Sequence, residues 1–135
     1  MRHQLQIAGK ARKVQVSSAG THASRPGASP DRRVENVLKA RGVKLGRIRA
    51  RRLTAKELQQ SDHVFAMDRQ NLQKILDICD SGHQHKVSLL LPHISVGGAD
   101  EVPDPYYGSY QGFVDVRDMI DVAVLALITS GICFS

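Results

Sequence analysis

The 135-residue sequence holds no tryptophan, only three tyrosines and three phenylalanines, and only two cysteines. Cys79 and Cys133 lie far apart, so no disulfide framework is expected; free thiols in a reducing, cytoplasmic compartment are. A structural zinc site usually needs four ligands, and Cys79, His83 and His85 offer three, so no metal and no other cofactor is expected. No apolar run reaches the ~20 residues of a membrane span. The most apolar stretch, residues 122–134, is broken by Thr129, Ser130 and Gly131. The opening MRHQLQIAGKARK has no continuous apolar region and no cleavage signal, so it does not read as a secretory leader. Acidic charge is in deficit: 19 Lys and Arg face 13 Asp and Glu, for a formal charge of +6. Arg47, Arg49, Arg51 and Arg52 concentrate the excess in RIRARRL. Such a surface attracts anions. Yet no Phe or Tyr lies among these arginines to stack on bases, and no zinc-finger, RRM or KH pattern appears. Nucleic acid is therefore a disfavoured partner, and a solvated face is the plain reading of the cluster.

What is there has the rhythm of one α/β domain over residues 1–135. Residues 3–8 read as the end of a helix stopped by Gly9, with no cap before it. Val14-Gln15-Val16 alternates as a short strand, followed by the small-residue turn Ser17-Ser18-Ala19-Gly20-Thr21. Ser29-Pro30-Asp31 opens a helix, with Ser29 as the expected cap, Val34, Val37, Leu38 and Arg41 as its stripe, and Gly42 as its end. Thr54 and Glu57 have capping-box spacing before a short helix over residues 55–60. Residues 63–67 read as a buried strand. Asp68 caps a helix whose apolar face is Leu72, Ile75, Leu76 and Cys79. Residues 87–91 form a second apolar strand, stopped by Pro92. After an irregular segment over residues 92–109, a last helix carries Phe113, Val116, Ile120, Val124 and Leu127 on one side. Strands alternating with helices predict a parallel sheet with helices on both faces and a site beyond the carboxyl ends of the strands.

EVPDPYYG, residues 101–108, is the densest chemical signal. Pro103 and Pro105 stiffen the backbone on either side of Asp104. Tyr106 and Tyr107 follow, in a chain otherwise poor in aromatics. An acid held beside aromatic walls suits proton transfer in a cleft that binds a ring. An ordinary turn would also use Asp-Pro, and Asp68 is accounted for by capping alone.

Ser18-Ala19-Gly20-Thr21, Pro30-Asp31 with Arg33, Ala50-Arg51-Arg52-Leu53, Ala66-Met67-Asp68 with Asn71, and Asp104-Pro105-Tyr106-Tyr107-Gly108 together resemble the low-molecular-weight protein tyrosine phosphatases. The resemblance runs over nearly the whole chain. It implies a four-stranded parallel sheet and hydrolysis of phosphotyrosine proteins through a phosphocysteine. Asp104 would be the general acid that protonates the leaving phenolate. Tyr106 and Tyr107 would receive the substrate ring, with Ser24 and Arg25 on the opposite rim. Ser18, Asp68 and Asn71 would support the site. The family also carries Cys-x5-Arg, whose loop amides and arginine bind phosphate and favour the thiolate. These 135 residues contain no such motif: His85 stands six residues after Cys79, and only two residues follow Cys133.

The resemblance thus implies a chain lacking the family's first strand and phosphate loop, and inactive as it stands. Without that strand, edges at residues 14–16 and 63–67 would be unpaired, favouring pairing with another copy, closure of the gap or aggregation. A binding module for phosphorylated or acidic partners, using the arginine cluster and the tyrosines, is the alternative. An arsenate reductase relative fits poorly, because Cys79 and Cys133 form no close pair.

Overall fold

The computed structural model describes residues 1–93 and 99–134. The chain divides into two compact units, each gathered from separate stretches.

The first unit comprises Met1–Ser18, Ser29–Ile48 and the chain from Asp104 onward. Its elements are α1 (Arg2–Ile7), α2 (Arg32–Lys39) and α5 (Tyr110–Ser130). Leu5, Val124 and Ile128 form its buried cluster, flanked by Met1, Val14, Val16, Ile120, Cys133 and Phe134. Burying one such aliphatic side chain contributes about 1.5–3 kcal/mol. Arg117 of α5 donates from Nη1 to the Val37 carbonyl of α2 at 2.9 Å, and Arg41 pairs with Asp118 at 3.0 Å. Gly131 ends α5 with φ 76°, a conformation that a side chain would oppose.

Two expectations change here. The cap of α2 is Asp31, whose carboxylate accepts from the Arg33 N–H at 2.8 Å, and not Ser29. The Asp31 carboxylate takes the Arg33 N–H and is itself held by the Arg33 side chain, so the helix starts after Asp31. Residues 14–16 are not a strand. A strand needs a ladder partner, and none pairs with them among the described residues. The Val16 carbonyl instead accepts from the Arg2 guanidinium.

The second unit comprises Ala19–Ala28 and Arg49–Pro103. It holds α3 (Ala55–Gln60), β1 (Val64–Ala66), α4 (Arg69–Ile78) and β2 (Val87–Leu89). β1 and β2 pair in parallel, with Val64 opposite Val87 and Ala66 opposite Leu89. The β1–α4–β2 order is the crossover that parallel pairing requires. Leu58, Ala66, Ile75 and Cys79 are the buried cluster, backed by Leu53, Val64, Leu72, Val87 and Leu89. The Thr54–Glu57 capping box is formed in both directions, and Asp68 caps α4 through the Asn71 N–H at 2.7 Å.

The α/β class with a parallel sheet holds. The ladder among the described residues has two strands, where the sequence offered three at residues 14–16, 63–67 and 87–91, plus a parallel bridge between Gly20 and Arg52. β2 ends at Leu89, and a 3-10 turn at Leu91–His93 takes up Pro92. The middle of the expected irregular segment, residues 94–98, lies outside the described residues.

Candidate functional site

In the second unit, three segments converge on the carboxyl end of β1. Residues 20–28 are stitched to residues 50–53 by four backbone bonds: Gly20 N–H to Arg51 O and Leu53 N–H to Gly20 O at 2.9 Å, Gly27 N–H to Ala50 O at 2.7 Å, and Ala50 N–H to Ala28 O at 2.9 Å. This holds Ser24 and Arg25, both exposed, on a loop with closed ends. Asn71 connects that loop to α4: its Nδ2 donates to Thr21 Oγ1 at 3.0 Å, while its N–H is the one Asp68 accepts.

Asp68 and Asn71 therefore act together, one orienting the helix start and the other holding the turn. Residues 100–102 join at the same place. Val102 N–H donates to the Met67 carbonyl at 2.7 Å, and Arg69 N–H donates to Glu101 at 2.8 Å. The Arg69 guanidinium pairs with Asp100 and holds that carboxyl below its usual range. Gly20, Thr21, Met67, Asp68 and Val102 thus gather near the carboxyl end of β1, where a site beyond the strand ends is expected.

Of the arginine cluster, Arg51 is paired with Glu57, whose carboxyl is lowered chiefly by the Thr54 N–H and then by Arg51.

In the first unit, Asp104 is exposed, and its Oδ1 accepts the Tyr106 N–H at 3.0 Å. That bond folds the backbone back on the carboxylate and leaves Oδ2 for other partners. Gly108 N–H donates to the Pro105 carbonyl at 3.0 Å and closes the turn. The rings of Tyr106 and Tyr107 stand edge to face, 5.0 Å apart at 85°. Tyr107 is 93% exposed and Tyr106 56%. Neither is a core aromatic. Ser18 belongs to this unit and is also exposed.

Two residues given no role by the sequence lie at the centre of these clusters. Thr21 holds Asn71. Arg33 reaches the 104–107 turn: its Nη2 donates to the Tyr106 carbonyl at 3.1 Å, and its guanidinium lies 5.5 Å from the Tyr106 ring and 4.3 Å from the Phe113 ring. Asp31 anchors it through Nε to Oδ1 at 3.1 Å and Nη2 to Oδ2 at 2.8 Å. These side-chain bonds, with the Arg33 N–H, hold the Asp31 carboxyl below its ordinary value. The Asp-x-Arg spacing at the start of a helix was the available signal.

Cys79 is in the core at the end of α4, and burial, then Asp80, pushes its thiol up. Cys133 donates to the Leu127 carbonyl at 3.6 Å beside the cluster of Leu5, Val124 and Ile128. His83 engages Asp80 at 2.6 Å, and no group of three or more ligating side chains among the described residues could hold a metal. No helix among the described residues is long and apolar enough to cross a membrane.

The model of the low-molecular-weight phosphotyrosine protein phosphatases matches residues 1–130. Over 131 residues the chain is 38% identical to a Synechocystis sp. protein named for the low-molecular-weight protein-tyrosine-phosphatases, covering 96% of this chain and 83% of that one. It is 37% identical over 115 residues to the low-molecular-weight phosphotyrosine protein phosphatase of Schizosaccharomyces pombe, covering 84% and 73%. The crystal structure of a protein tyrosine phosphatase from Entamoeba histolytica, with Hepes in its active site, superposes with a TM-score of 0.90 at 30% identity over 96% of this chain and 82% of that one. This chain belongs to the low-molecular-weight phosphotyrosine protein phosphatase family.

Proposed function

We propose that this chain carries the proton-donor and ring-binding parts of a phosphotyrosine phosphatase of the low-molecular-weight type, and that the 135 residues by themselves do not turn substrate over. Asp104 is the general acid for a leaving phenolate. Tyr106 and Tyr107 contact the aromatic ring, and Ser24 and Arg25 contact other parts of the substrate. Ser18, Asp68 and Asn71 support. The observation that carries this reading is the folded-back Asp104 carboxylate with two solvent-facing tyrosine rings beside it. The family match over residues 1–130 supports it and supports treating both units as parts of one phosphatase-like domain.

Inactivity follows from the absence of Cys-x5-Arg within these residues. Loss of an activated nucleophile lowers rates by about 10^6 in a well-studied hydrolase. Free thiols at Cys79 and Cys133 support a cytoplasmic location.

The test uses the 135-residue polypeptide with p-nitrophenyl phosphate and, by calorimetry, with a phosphotyrosine peptide. The expected result is peptide binding that weakens when Tyr107 is replaced by Ala, with no turnover above background. Turnover that disappears in Asp104→Asn would overturn the inactivity. Absence of both binding and turnover would overturn the recognition role. Reading the coding DNA upstream of Met1 in frame for Cys-x5-Arg separates a short relative from a shortened polypeptide.

A further inference from the structure

We propose that Arg33 is the positioning residue of the acid-bearing turn: its fork, anchored by Asp31 at the start of α2, grips the Tyr106 carbonyl and holds Asp104 and the tyrosine rings in one geometry. The proposal rests on reading Asp104 as the proton donor, but its structural half stands on distances alone.

Three features carry it. The first is span. Arg33 lies 73 residues from Tyr106 in sequence, yet donates to its carbonyl at 3.1 Å. The carbonyl and the N–H of the same residue are thus both engaged, one by Arg33 and the other by Asp104 Oδ1 at 3.0 Å. Holding the carbonyl limits rotation of the peptide that follows Tyr106, and holding the N–H sets the carboxylate.

The second is shape. A guanidinium is planar and presents donors along its edge while its face remains free for a ring. Arg33 uses the edge for Asp31 and Tyr106 and lies 4.3 Å from the Phe113 ring centre. Phe113 is a buried residue of α5. The turn is therefore referred to a helix start on one side and a core aromatic on the other. A lysine ammonium at this place lacks the planar fork that pairs with both Asp31 oxygens while reaching the Tyr106 carbonyl.

The third is exposure. The Arg33 and Asp31 side chains are 36% and 28% exposed. A pair this accessible is screened and adds little to global stability. Its consequence is where it holds the chain, not how tightly the whole chain folds.

The experiment is amide hydrogen exchange by NMR on the 135-residue chain and its Arg33→Lys variant, with melting measured alongside. Loss of the hydrogen bond from the charged Arg33 fork to the Tyr106 carbonyl lets the turn open and frees the Tyr106 N–H from Asp104, which predicts exchange of that N–H faster by about tenfold. The α5 amides should keep their rates, and the melting temperature should stay within about 3 °C. Should Arg33→Lys not fold, Asp31→Asn serves: Asn caps a helix about as well as Asp but removes the charge that anchors the fork. It should raise the same Tyr106 rate. Unchanged Tyr106 exchange in a folded variant would overturn the proposal. So would a uniform loss of protection across α2 and α5, which marks a purely structural role. Titration with a phosphotyrosine peptide separates the two readings. A wild-type chain that does not bind it, while Tyr106 exchange still follows Arg33, sinks the phosphatase-type recognition and supports the clamp.

Discussion

Replacing Gly20 by Ala tests how the Ser24–Arg25 loop is held. Gly20 has no special φ, so the cost is not conformational preference. A Cβ there would stand 2.8 Å from the His22 carbonyl oxygen and 3.7 Å from the Arg51 carbonyl oxygen. The first distance is below any ordinary carbon–oxygen contact. Relief would require the His22 peptide to move or Gly20 to retreat. Gly20 cannot retreat freely, because its N–H donates to Arg51 O and its carbonyl accepts from Leu53 N–H, both at 2.9 Å. Either the bridge to residue 52 breaks or the turn before Ser24 is redrawn.

Overpacking of this kind costs about 1–3 kcal/mol. For a chain of this size each kcal/mol lowers the melting temperature by roughly 3–5 °C. Urea unfolding followed by circular dichroism reads the change as a lower midpoint at unchanged slope. An Ala variant as stable as the wild type, with residues 20–28 giving unchanged amide shifts, would refute the reasoning. Such a result would mean that the close approach at His22 is not a feature of the folded protein in solution.

Thr54→Ala removes the hydroxyl that accepts from the Glu57 N–H and breaks the reciprocal bond set. It should cost about 1 kcal/mol in the same unfolding assay, and an unaffected midpoint would contradict the cap. Asp31, Glu57, Asp80 and Asp100 all have lowered carboxyl pKa values in the folded chain. Each contributes stability above its ordinary value, 3.8 for the aspartates and 4.5 for Glu57. That contribution is lost as pH falls through the lowered one. The melting temperature should therefore fall as acid is added below about pH 4.5; a melting temperature that stays level between about pH 6 and about pH 3 would contradict these pairings. Iodoacetamide at pH 8 should modify Cys79 only when the chain unfolds, because its thiol is buried and its pKa raised. Prompt labelling in the native protein would contradict its core position.

Helix starts were legible because their chemistry is local. Thr54 with Glu57 and Asp68 with Asn71 satisfy amide groups within three residues, so spacing is enough to find them. The cap of α2 lies two residues beyond Ser29, because the Asp31 carboxylate takes the Arg33 N–H. Residues 14–16 show the limit of periodicity. Alternation says that a segment can extend, not that a partner strand exists to pair with it, and here Arg2 takes the Val16 carbonyl instead.

The sequence by itself determined the α/β class, the caps of α3 and α4, and the core faces of α4 and α5. All of these follow from hydrogen bonds and burial patterns a few residues long. Only the tertiary structure decided that Arg33 holds the Tyr106 carbonyl, that Asn71 holds Thr21, and that residues 20–28 are stitched to residues 50–53. Those contacts join residues 50 and 73 apart for the two side-chain bonds, and no spacing rule reaches that far. They form because packing of the units brings donors and acceptors together whose backbone or charge would otherwise remain unsatisfied.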